Sequence, residues 1–131
     1  MRTRAWLLLA AACAHYVTGE DFMVHVLFQG GTPLSAGPWA GRTGLSEPQP
    51  GRAPGKDWGA EFEGWSRRVR IDLPAFRAYS KAVFKATDAY LAALPDAELS
   101  RPLDLSAMGI GKQTVGFVLN NVMIGHAYCH C

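Results

Sequence analysis

The sequence predicts an all-α helical bundle, with three long helices and one long Gly/Pro-rich loop inside a single domain. Three observations carry this. Apolar residues recur at spacings of three and four in three separate segments. A stretch from 31 to 58 has no period at all. No two segments alternate convincingly enough to pair as strands.

Residues 4–28 read as the first helix, rich in Ala and Leu, which favour helices. Gly19 is its weak point, at about 1 kcal/mol relative to alanine. Gly30-Gly31 stops it, and Pro33 follows where a proline is expected beyond a C-terminus. The same region has a second reading. Met1-Arg-Thr-Arg4 is a basic head, and Ala5–Ala14 is an unbroken apolar run of ten. That pattern suits a secretory signal, or a lipoprotein signal with Cys13 lipidated. A run of that length is too short to span a bilayer. The buried helix is preferred, because the amphipathic pattern runs on through His15, Phe22 and Leu27.

Half of the 14 glycines and five of the eight prolines lie between Gly30 and Gly55. Long loops of this kind are functional lids or disordered connections. Residues 59–70 are expected to hold a short helical turn, with Trp58, Phe62 and Trp65 as apolar anchors. Residues 73–94 give the clearest helix. Asp72 caps it, Pro74 sits in its first turn and Pro95 ends it. Phe76, Tyr79, Val83, Ala86, Tyr90 and Leu94 form one stripe. Residues 96–111 are expected to be a connection. The last helix should start near Lys112 or Gln113, with Val115, Leu119, Val122, Met123 and His126 facing inward.

Hydrophobic residues make up 49% of the 131 positions and charged residues 18%, the balance of a folded chain. A net charge of +2 with scattered basic residues gives no argument for nucleic acid. The one cluster, Arg67, Arg68 and Arg70 beside Trp65, reads as a solvated turn. Three cysteines, Cys13, Cys129 and Cys131, do not make a disulfide framework and suit a reducing, cytoplasmic setting. Ser106–Gln113 only superficially resembles a phosphate loop. Ser106 replaces its first glycine, Gln113 replaces its hydroxyl, and no strand is expected before it.

The chemistry points to histidine. His126 and His130 are one turn apart on a helix, about 40° in direction and roughly 6 Å in height. Two imidazoles so placed can reach one ion of zinc, nickel, copper or iron. His15 lies in the other strongly apolar helix, where an unpartnered ring would be costly. His25 is about 80° around that helix and is expected at the surface. Glu20 and Asp21 are read as a solvated acidic face, or as hydrogen-bond partners or a general base near the site. Cys129 is read as a small apolar filler, with a His/Cys site as an alternative.

The segment His15-Tyr-Val-Thr-Gly-Glu20-Asp21, followed by an apolar stretch and Gly30-Gly31, resembles the second helix of the DinB-like superfamily. Gly125-His126-Ala-Tyr-Cys-His130 resembles that family's last helix with its H-x-x-x-H pair. Asp72 to Leu105 resembles its third helix and the connection beyond. The resemblance covers most of the chain except the Gly/Pro loop. It implies a four-helix bundle with a divalent metal, nickel or zinc, on His15, His126 and His130. Against that pattern the first helix and the last turns are missing, so the chain is expected to be truncated at both ends.

Besides an exported lipoprotein or secreted protein with residues 1–12 cleaved as a signal, two functions follow. In one, three histidines leave metal positions open for transfer to a small thiol, or for hydrolysis of another small molecule. The loop 31–58 then forms part of the pocket wall, and neither nucleic acid nor membrane is a partner. In the other, the chain is a helical fragment without metal that associates with itself as a homodimer or with another protein.

Overall fold

A computed structural model describes the backbone of residues 4–130 and the side chains of residues 8–129. The basic head, Cys131 and the side chain of His130 lie outside the described part.

The first helix, α1 (Arg4–Phe22), continues without a break as a π-helical stretch, Met23–Phe28. It ends as expected. Gly30 takes φ +64°, and the amides of Gly30 and Gly31 donate to the carbonyls of Val26 and His25. Helix α2 (Trp58–Arg68) runs for three turns where one turn was expected. Asp57 caps it, its carboxylate accepting from the Ala60 amide at 3.1 Å. Helix α3 (Leu73–Ala93) is capped by Asp72 on the Ala75 amide at 3.2 Å, with Pro74 in the first turn. A side-chain cap of this type is worth about 1 kcal/mol.

The expectation of a purely α fold with three long helices is wrong. Residues Pro102–Leu105 and Gly111–Thr114 form an antiparallel hairpin, β1 and β2, pairing Leu103 with Gln113 and Leu105 with Gly111. The turn between them holds a short 3-10 segment, Ser106–Met108, and Gly109 at φ +75°. This is the segment that superficially resembled a phosphate loop. Each strand has four residues, and β2 (GKQT) offers no apolar alternation to detect. The last helix consequently starts later, at Val115. It runs as α4 (Val115–Phe117), a π-helical stretch (Val118–Met123) and α5 (Ile124–His130). Thr114 caps it on the Phe117 amide at 3.1 Å.

Two apolar clusters hold these elements. One joins Ala11, Ala14 and Val17 of α1 to Trp65 and Val69, and to Phe76, Tyr79 and Val83 of α3. The other joins Met23, Val24 and Phe28 to Leu103 and Leu105 of β1, and to Val115 and Val118. Both π-helical stretches pack in this second cluster. The expected α3 stripe holds at Phe76, Tyr79 and Val83, with Thr87 rather than Ala86 fully buried beyond them.

The Gly/Pro segment is not a disordered connection. Gly44 takes φ +80° and accepts from the Asp72 amide. Leu45 bridges Ile71, and Ser46 exchanges hydrogen bonds with Arg70. The Trp65 indole donates to the Glu47 carbonyl, and the Trp58 indole to that of Pro50. The segment is therefore sewn to α2 and to the start of α3.

Candidate metal centre

Helices α1 and α5 lie against each other, and the contact brings two of the three expected ligands together. The Nε2 atoms of His15 and His126 are 2.8 Å apart, across 111 residues of sequence. The rings meet edge to face, with centroids 4.7 Å apart. Two bare nitrogen lone pairs would repel at this distance, so something positive must sit between them: a proton or a cation. Two nitrogens on one tetrahedral zinc ion, at about 2.0–2.1 Å each, would stand roughly 3.3 Å apart, so the 2.8 Å spacing is that of an N–H···N hydrogen bond, and the rings would part by about half an ångström to take an ion.

Aromatic rings wall the pair. Phe62 meets the His15 ring edge-on at 5.0 Å between centroids, with Trp58 at 6.2 Å. Tyr16 stacks on His126 at 5.7 Å. The Arg52 guanidinium lies 4.4 Å over Trp58. Gly19 lies against the pair: a Cβ on it would stand 3.4 Å from Cε1 of His126, at van der Waals contact with the ring. On its far nitrogen, His15 Nδ1 lies 2.8 Å from Oε1 of Gln49.

The third expected ligand, His130, lies in α5 one turn beyond His126, its side chain outside the described part. Among the described residues no three His, Cys, Asp or Glu side chains gather as a metal site. The two described imidazoles are of the donor type that a borderline-soft divalent ion takes, and their Nε2 atoms meet each other beside aromatic rings.

Four neighbouring expectations need correction. Asp21 is fully buried, not on a solvated face. It accepts from the Leu34 amide at 2.8 Å, the Ser35 amide at 3.0 Å and the Tyr79 hydroxyl at 2.6 Å. Glu20 is also buried and accepts from the Thr87 hydroxyl at 2.7 Å. Both carboxylates serve the fold, and their described partners do not include His15 or His126. His25 is half-buried rather than at the surface, its Nδ1 2.9 Å from the Asp21 carboxylate. Cys129 is exposed, so it fills no core; Cys13 is exposed as well. Burial, and then the Asp21 carboxylate, push the Tyr79 phenol far above its ordinary pKa, so it stays a donor.

The arginine cluster, expected as a solvated turn, is the exposed end of α2 and Arg70 just beyond it. Arg67 pairs with Glu63 and Arg68 grips Glu47 at 3.1 and 3.3 Å. Beside it a cleft of about 260 Å³ opens between Pro48, Pro50 and α2; neither histidine lines it.

Sequence reasoning missed Gln49, Tyr16, Trp58 and Phe62 as site residues. The signal was present for two of them. Trp58 and Phe62 sit one turn apart directly after the cap Asp57, so one face of α2 had to present both rings. Gln49 gave no signal of its own.

Searches of family models, curated proteins and solved structures give no match to this chain.

Proposed function

We propose that the chain is a divalent-metal-binding helical protein, holding nickel or zinc on His15, His126 and His130. The observation that supports this is the 2.8 Å approach of the His15 and His126 Nε2 atoms from opposite ends of the chain. The DinB-like resemblance supplies the third ligand and the choice of metals. A bound ion of this kind lowers the pKa of a coordinated thiol or water. The reaction class proposed is thiol transfer or hydrolysis on a small molecule. The chain's own residues position the site. Gly19 lies against the His126 ring, and Tyr16, Trp58 and Phe62 flank the half-buried pair. Among the described residues no helix is long and apolar enough to cross a membrane. The proposed compartment is the cytoplasm.

A second reading is favoured by exposed apolar side chains, Leu8 and Leu9 on α1 and Ile124 on α5, each more than half exposed. It makes the chain a metal-free scaffold that associates with itself.

Metal analysis of the purified protein separates the two. The metal reading expects about one transition-metal ion per chain, lost in His126→Ala, and a thermal midpoint raised by added zinc or nickel. The absence of metal in both proteins after incubation with either ion, with an unmoved midpoint, overturns it in favour of the scaffold.

A further inference from the structure

Gln49 lies in the Gly/Pro segment, 34 residues from His15 in sequence, yet touches its ring. An amide oxygen only accepts hydrogen bonds. The 2.8 Å contact with Oε1 therefore requires the proton of His15 to be on Nδ1. A neutral imidazole carries one N–H. His15 Nε2 is left with its lone pair, and Nε2 is the atom that faces His126. In the metal-free pair the proton between the rings accordingly belongs to His126.

The contact is built rather than incidental. Gln49 stands between Pro48 and Pro50, whose rings fix their own backbone torsions. Its neighbours on both sides are pinned. The Glu47 carbonyl takes the Trp65 indole N–H at 3.3 Å, and the Glu47 carboxylate is gripped by Arg68. The Pro50 carbonyl takes the Trp58 indole N–H at 3.0 Å. The helix that holds the residues flanking Gln49, α2, also presents Trp58 and Phe62 to the His15 ring. The ring is thus fixed in orientation by aromatics and in tautomer by an amide.

We propose that Gln49 is a positioning residue: it locks His15 in the Nδ1–H tautomer, so that Nε2 is presented as a donor to a divalent cation. The proposal rests on the metal reading only for its second half. Hydrogen-bond partners of a metal-ligating histidine commonly shift metal affinity by about 10–100-fold.

The test has two readouts on the full chain. The first is the tautomer of His15 in the metal-free protein, read from ring nitrogen shifts by NMR at about pH 8, where a free imidazole is neutral. The Nδ1–H form is expected in the wild type and in Gln49→Glu, which keeps an acceptor. Gln49→Leu, of similar size but without one, should lose it. A Gln49→Leu protein that retains the tautomer, or a wild type that lacks it, overturns the proposal. The second readout is zinc affinity by competition with a chromophoric chelator. Gln49→Leu should bind zinc about 10–100-fold more weakly, and Gln49→Glu at least as tightly as the wild type. Equal affinity in wild type and Gln49→Leu, while His126→Ala loses zinc, overturns the role toward the metal. A wild type that shows the tautomer but binds no zinc overturns the metal reading and leaves the tautomer lock standing.

Discussion

Asp21 carries more of this fold than any other single polar side chain described. Its carboxylate sits at the crossing of three elements: α1, which bears it, the Leu34–Ser35 turn and α3 through Tyr79. Removing it strands two backbone amides and a buried hydroxyl, each costing about 1–3 kcal/mol. Asp21→Ala should therefore lower unfolding free energy in urea by about 3 kcal/mol or more. Tyr79→Phe removes a single donor and should cost about 1–2 kcal/mol. Equal losses in the two variants would show that the loop amides find water instead. Sequence placed the three histidines on the right two helices but misjudged Asp21 and Glu20. Helical periodicity tells which way a residue points. It does not tell what crosses that face, and here what crosses is the loop that looked least structured.

Glycine 44 governs how that loop joins the helices. Its φ is +80°, and a Cβ there would lie 2.5 Å from the Phe76 nitrogen and 2.7 Å from the Asp72 carbonyl oxygen. Both are backbone atoms at the start of α3 and cannot swing away. Gly44→Ala should cost about 3 kcal/mol from torsional strain and overlap together. Gly41→Ala is the control. It has a similar φ of +69° with open space around it, and should cost about 1 kcal/mol. Thermal unfolding of the two variants measures the difference. At this scale the helices were legible and the hairpin was not. α3 announces itself through cap, proline and stripe. β1 contributes only Leu103 and Leu105 as buried positions, and its partner is polar, so strand periodicity has almost nothing to act on. The π-helical stretches were equally hidden, because one widened turn leaves composition unchanged. Val118 is buried beside the expected Val115 because residues three apart share a helix face.

At the scale of the molecule, two apolar clusters meet along the first helix, which runs through both. The lower-numbered half of that helix packs on α2 and α3, and the π-helical half on the hairpin and the start of the last helix. Sequence anticipated the helices and the approach of the first to the last. It could not anticipate that the Gly/Pro segment would be fastened at Asp21, Gly44, Glu47 and Pro50. Each fastening pairs a backbone group with a distant side chain or backbone, and neither partner carries a local pattern.

The His15–His126 contact closes a loop of 111 residues, and that has a kinetic side. Contacts so distant in sequence pay their closure entropy last, after local helices and turns are in place. A group that joins after the folding barrier affects the escape rate from the native state and hardly affects the rate of arrival. Stopped-flow chevrons of His126→Ala should show an unchanged refolding limb and unfolding about 3–10-fold faster. A slowed refolding limb would place the contact in the folding nucleus. With the refolding limb unchanged, zinc at the proposed site would act as a brake on unfolding, setting how long each folded molecule lasts rather than how many are made.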